Sequence, residues 1–293
     1  MENNHRFPLV LSSFWLKVIA LLTMTIDHIG FLFYNLPCAE AFRCIGRLAL
    51  PLFCFMIAEG AIHTKSFKKY ALRLGIMASI ISLAMIILET PLFDMSMRDQ
   101  GIIFVDLLLG ALAIYLLRQK QWYFKLLAIL PLAYGVASEI AMSLECAQCG
   151  VYILWFPYFM RAQYGCYGIL MIIGFYGAYL LKDLFLKYLS ANSGVSVDAY
   201  QGTRLERNLI NIMSVIVLII INVIRYLYRG ALPPQYVDEN YVMQLLAMCS
   251  GAFILLYNGT RGYNKKWFQY GSYLYYPVHL LILYGIFYLI YFI

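Results

Sequence analysis

Charge is scarce in this chain. Asp, Glu, Lys and Arg make up 13% of its 293 residues, against about a quarter in an ordinary soluble domain. Apolar and aromatic residues make up 63%, and the mean hydropathy is +0.73. That leaves too little polar surface to cover a soluble fold of this size, so lipid must solvate much of the exterior. A soluble enzyme, a disordered chain and a disulfide-stapled secreted domain are excluded. The net charge of +7 is spread over many loops, which argues against a nucleic-acid partner. Histidine is rarer still, at four residues. The seven cysteines include one pair with metal-like spacing, Cys146 and Cys149. Neither a second pair nor a histidine cluster accompanies it, so no metal is expected. Internal repeats, low-complexity tracts and a cleavable signal are also lacking. The first apolar stretch carries Asp27 and His28 and has no small-residue cleavage site.

Long apolar runs, by contrast, are abundant. A spanning helix needs about 20 mostly apolar residues. Nine candidates lie near 14–36, 41–63, 67–89, 101–118, 122–141, 164–186, 208–229, 241–258 and 268–293. A tenth apolar piece near 150–160, with Trp155 and Pro157, is too short to span and reads as re-entrant or interfacial. The expected fold class is an all-α integral membrane protein with about nine transmembrane helices, a single domain over 1–293. The polar stretch near 188–207 reads as a flexible cytoplasmic linker. With the N-terminus inside, 16 of the 22 Lys and Arg residues fall on the cytoplasmic side and 6 outside. That bias is the positive-inside signature.

Ionisable groups at membrane depth are costly, so each one marks a candidate site. His28 lies 11 residues beyond Lys17, roughly 16 Å along a helix. His28 then sits near mid-membrane while Lys17 stays at the cytoplasmic mouth. Asp27 and His28 are neighbours and point about 100° apart, so they are not expected to pair. Arg47 lies a little below the outer surface and is a candidate partner of Asp27 or Asp106, whereas Arg43 reads as a snorkelling side chain. Glu59 and His63 share a helix face near the inner end. Tyr70 and Arg73 follow on the next span. Near the C-terminus, Tyr276 and His279 fall at almost the depth of His28, which points to one shared site.

A buried neutral histidine suits a general base. Basic groups at the inner mouth suit a phosphate-bearing cytoplasmic ligand. Together they describe a tunnel that takes in an acyl-CoA and delivers its thioester to mid-membrane. The same residues suit a proton-coupled transporter or exporter, although no pair of matching broken helices is evident. A non-catalytic scaffold leaves the buried charges unexplained.

The runs Leu16-Lys17-Val18-Ile19-Ala20, Ile26-Asp27-His28-Ile29-Gly30 and Ile45-Gly46-Arg47-Leu48-Ala49-Leu50-Pro51 resemble those of the TraX family of bacterial membrane proteins. Ala58-Glu59-Gly60, Tyr70-Ala71-Leu72-Arg73 and Tyr276-Pro277-Val278-His279-Leu280-Leu281 continue the match towards the C-terminus. The family is named for a conjugative-pilus protein that acetylates the N-terminus of pilin. The resemblance therefore implies an acyltransferase of the bacterial cytoplasmic membrane using acetyl-CoA as donor. TraX proteins also resemble a broader group of transmembrane acyltransferases, in part of which an Arg precedes a catalytic His by 11 positions. Lys17 and His28 have that separation, with Lys in place of Arg.

On this reading His28, Asp27 and His279 are the candidate catalytic residues. Lys17, His63, Tyr70 and Arg73 would hold the acyl-CoA. Arg47, Glu59 and Tyr276 would hold the acceptor or the donor arm. The expected partners are acyl-CoA, membrane lipids and a peptide, glycan or lipid-linked acceptor offering an amine or hydroxyl.

Overall fold

A computed structural model describes residues 9–88, 101–146, 153, 155–233 and 241–291. The chain is an all-α integral membrane protein, with no β-strand among the described residues. Its α-helices are α1 (Ser13–Leu32), α2 (Ala39–Gly46), α3 (Ala49–His63), α4 (Phe67–Leu88), α5 (Ile103–Leu117), α6 (Trp122–Leu127), α7 (Ile129–Cys146), α8 (Gly165–Ser193), α9 (Arg204–Gly230), α10 (Gly251–Leu255) and α11 (Lys266–Tyr291). Seven helical stretches are long and apolar enough to cross a membrane: Ser13–Leu32, Ala39–His63, Phe67–Leu88, Trp122–Glu145, Gly165–Ser193, Arg204–Gly230 and Lys266–Ile290. The other two candidate spans, 101–118 and 241–258, coincide with the shorter apolar helices Ile103–Leu117 and Met243–Leu255.

Burial follows what each helix face meets. The core is built from Leu16 and Ala20 of α1, Leu52 and Phe55 of α3, Leu74 of α4, Ile114 of α5, Met171, Ile172 and Phe175 of α8, and Leu218 of α9. On the exterior, Leu83, Ile220, Ile224, Leu281, Leu289 and Ile290 are large, apolar and exposed. Such surfaces are stable only against lipid. Among the seven long apolar stretches Lys266–Ile290 is the least embedded, and its helix α11 packs on α1 and α4.

One expected span is locally interrupted, although Ala39–His63 remains one apolar stretch. The stretch 41–63 breaks at Arg47 and Leu48, between α2 and α3. The cause is Pro51, which has no N–H to donate to the carbonyl of Arg47 four residues earlier, and whose ring crowds that carbonyl. Proline is tolerated in the first turn of α3, where the amides have no helical partner anyway. The break therefore falls just ahead of it, at the residue that carries a guanidinium.

Helices α1 and α2 approach closely because glycine allows it. A Cβ added at Gly46 would collide with the Asp27 side chain, and one at Gly30 would lie 2.6 Å from the Ala39 carbonyl. Small residues at helix contacts are the usual device for bringing backbones together in a membrane.

Residues 150–152 and 154 of the expected re-entrant segment lie outside the described residues, as do Cys149, Arg98 and the Cys146 side chain. The remainder is folded against α7. Ile153 is buried, Tyr158–Met160 forms one 3-10 turn, and Arg161 is 1% exposed. Arg161 forks onto Glu145 at 2.6 and 2.9 Å and donates to the Phe156 carbonyl at 2.6 and 2.8 Å. The stretch 188–207 holds the last turns of α8, a 3-10 turn at Val197–Tyr200 and the start of α9, where Thr203 caps the Glu206 amide.

Candidate active site

The sequence places Asp27 and His28 on different faces of α1, and the fold uses both faces. Asp27 turns to α2, where Arg43 Nη1 donates to Oδ2 at 2.7 Å and Arg47 Nη2 donates to Oδ1 at 2.6 Å. Arg43 is thus an ion-pair partner of Asp27, not the free snorkelling group its position implied. His28 turns to α11 and meets His279. Nδ1 of His28 lies 2.8 Å from Nε2 of His279, and the rings stack with centroids 5.0 Å apart.

The protons in this pair can be assigned from the network. Nδ1 of His279 lies 2.9 Å from the Tyr275 carbonyl, which can only accept, so that nitrogen carries a proton. In a neutral ring Nε2 of His279 is then an acceptor, and His28 donates to it from Nδ1. The remaining nitrogen of His28, Nε2, keeps its lone pair and has no hydrogen-bond partner among the described residues. Tyr276 meets both rings edge-on, at 6.1 Å from His28 and 5.5 Å from His279, and is itself backed by Phe104 at 5.3 Å. Tyr275 stacks on His279 at 5.1 Å and ties α11 to α1 through a 2.7 Å bond to Thr25. His279 is 5% exposed, whereas His28 is half-buried.

His28 faces a cavity of about 1020 Å³. It extends towards the end of the bundle that the loop charges assign to the outside. Its wall includes Asp27, Arg43, Arg47, Tyr164, Gln244 and Tyr276, together with Glu139 of α7 and Arg225 and Arg229 of α9. The lining also includes Glu40 of α2 and apolar side chains of α4 (Ile80, Ala84, Leu88) and α11 (Leu280, Leu281). A hydrogen-bonded chain leads from this wall into the core. Arg47 donates to Gln244 at 3.4 Å, Gln244 donates to the Tyr167 hydroxyl at 3.2 Å, and Tyr167 donates to Asn222 at 2.9 Å.

The other expected site residues lie elsewhere. Glu59 is twelve residues beyond Arg47, about 18 Å along the helix. It binds Arg207 at 2.6 Å and His63 at 3.3 Å, at the opposite end of the bundle. Arg207 in turn covers the Tyr257 ring at 5.1 Å. Tyr70 donates to the Ile57 carbonyl at 3.4 Å. Lys17 and Arg73 both rest on aromatic rings at the start of α11, Phe268 at 5.7 Å and Tyr270 at 5.5 Å. Asp27, His28, Arg47 and Tyr276 thus share the cavity wall, with His279 directly behind His28. Lys17, Glu59, His63, Tyr70 and Arg73 do not line that cavity.

In the loop-charge balance Arg225 and Arg229 weigh only as outside charges. A signal was present: Asn222, Arg225 and Arg229 are spaced by three and four residues, which sets three polar groups on one face of a long apolar helix.

Comparison with known proteins gives the family. No solved structure matches the chain. The chain is 45% identical over 65 residues to a probable fimbrial assembly protein FimC, serogroup H1, of Dichelobacter nodosus. That match covers 22% of this chain and 27% of the relative, so the chain matches only about a quarter of that relative's length. It is 25% identical over 270 residues to the uncharacterized protein RP591 of Rickettsia prowazekii (strain Madrid E), covering 86% of this chain and 95% of that one. The family model for the TraX protein matches residues 12–287, from the start of α1 almost to the end of α11. The chain belongs to the TraX family.

Proposed function

We propose that this protein is a membrane-embedded acyltransferase of the bacterial cytoplasmic membrane, transferring acetyl from cytosolic acetyl-CoA to an amine or hydroxyl of a peptide or glycan acceptor. The observation that carries this reading is the hydrogen bond from His28 to His279. It leaves one basic nitrogen free on His28, a residue that lines the cavity. Family membership supports it, and so does the likeness of one segment to a fimbrial assembly protein, which favours a pilus subunit as acceptor.

The chemistry balances with these groups. The acceptor nitrogen or oxygen attacks the thioester carbonyl as Nε2 of His28 takes its proton. The tetrahedral intermediate collapses, the carbon–sulfur bond breaks, and the CoA thiolate takes that proton from the imidazolium. The products are the acetylated acceptor and free CoA. While His28 is protonated, the lone pair of His279 Nε2 remains bonded to its Nδ1–H and stabilises the charge. General acid–base help of this kind contributes about 10²–10⁴-fold. Asp27 contributes indirectly, by holding Arg43 and Arg47 in the cavity wall. Lys17, Tyr70 and Arg73 lie at the end assigned to the cytoplasm, where a CoA phosphate would arrive.

The test is to incubate the purified protein with radiolabelled acetyl-CoA and candidate acceptors, including pilin-derived peptides. Label on the acceptor supports the reading. Proton-coupled movement of a solute with no dependence on CoA, and no label transfer, would overturn it in favour of a transporter.

A further inference from the structure

Arginines in the cavity wall are not all accounted for by its carboxylates. Arg43 and Arg47 share Asp27, and Arg229 pairs with Glu139 at 2.7 Å. Arg225 is different. Among the described residues it makes no ion pair and no hydrogen bond, and its Nε is shut off from solvent without a partner. Its guanidinium sits 4.2 Å from the centre of the Tyr167 ring. That ring is fixed from both sides, accepting from Gln244 and donating to Asn222. Arg225 faces the same cavity as His28 and Tyr276.

A guanidinium at membrane depth is ordinarily paired with a carboxylate or a carbonyl. A cation–π contact holds the group in place but leaves its N–H donors unused. The planar fork of arginine matches a carboxylate or phosphate with two parallel hydrogen bonds. A pre-positioned fork of this kind, in a cavity that also holds a candidate base, is a place where a substrate supplies the missing counter-charge.

We infer that Arg225, on its Tyr167 platform, is the docking point for an oxyanion, a carboxylate or phosphate group carried by the acceptor. The acceptor is then an anionic molecule whose charged group is held at Arg225 while its amine or hydroxyl reaches His28. The oxyanion site stands on the geometry alone; its assignment to an acceptor rests on the acyl-transfer reading.

Two measurements separate the parts. In the first, full-length protein in nanodiscs of neutral lipid is melted at fixed ionic strength in chloride or in inorganic phosphate. The wild type gains Tm with phosphate concentration, as mass action requires. R225K keeps part of the gain and R225Q has none. In chloride, R225Q melts no lower than the wild type, because it no longer buries an uncompensated charge. An equal phosphate gain in R225Q, or no gain in the wild type, overturns the site. In the second, two acetyl acceptors differ only in a carboxylate versus its amide. The wild type prefers the carboxylate by about 10- to 100-fold in kcat/KM, the scale of a charged hydrogen bond, and R225Q erases that preference. Equal use of both by the wild type overturns the acceptor role. Absence of all transfer alongside an intact phosphate gain would count against the acyl-transfer reading and leave the oxyanion site standing.

Discussion

Nδ1 of His28 and Nε2 of His279 meet at 2.8 Å across 251 residues of chain. The bond joins the first helix to the last and fixes the tautomer of the residue that faces the cavity. A histidine whose proton is placed by its partner presents the same nitrogen at every turnover.

That relationship separates the two histidines experimentally. H279A leaves His28 free to adopt either tautomer, so kcat falls while KM for acetyl-CoA holds, the pattern of an interaction used in the transition state. The loss is smaller than the full acid–base factor of about 10²–10⁴. H279Q offers a side-chain oxygen as acceptor and recovers part of the rate. Steady-state kinetics of the two variants decide it; equal damage from both, or a change in KM alone, counts against tautomer control.

Asp27, paired with both Arg43 and Arg47, acts in this mechanism as an anchor and not as a base. D27N removes the carboxylate that Arg43 and Arg47 share, both pairs being mostly buried at 14–28% side-chain exposure. The cost is about 1–3 kcal/mol of stability, read as a lower Tm in detergent. In the D27N/R47Q double variant the loss is smaller than the sum of the single losses, because the two residues share one network. Strict additivity would contradict the pairing.

Gly46 has no room for a side chain. In G46A the new methyl group meets the Asp27 carboxylate. Overpacking costs about 1–3 kcal/mol, and here it also displaces the anchor of both arginines. The variant melts lower and loses transfer activity together. An unchanged Tm in G46A would show that α1 and α2 are not held this closely.

Arg73 rests on Tyr270 at the end assigned to the cytoplasm, remote from the histidine pair. R73A therefore raises KM for acyl-CoA more than it lowers kcat, the signature of lost ground-state binding. The reverse split would move Arg73 into the reaction centre.

Much of this was legible in the sequence because membranes leave so few options. The apolar runs locate the helices, and depth along α1 and α11 brings His28 and His279 to one level. Other features depend on rotation and on contacts between helices, which a linear count does not report. Glu59 and Arg47 share an expected span yet serve opposite ends of the bundle, because twelve helical residues separate them. Arg43 looked like a surface charge until α2 folded against α1. The broken span was readable from Pro51, since the missing amide points to the carbonyl of Arg47. Arg225 was hidden by its place in the topology count, where every basic residue weighs the same.

The central claim is that His28 is the base of an acyl transfer, and the direct measurement is single-turnover transfer of labelled acetyl to acceptor by H28A in nanodiscs. The account predicts a protein that folds and melts like the wild type, still binds acetyl-CoA, and transfers at least about 100-fold more slowly. Transfer by H28A at a rate near that of the wild type would contradict it.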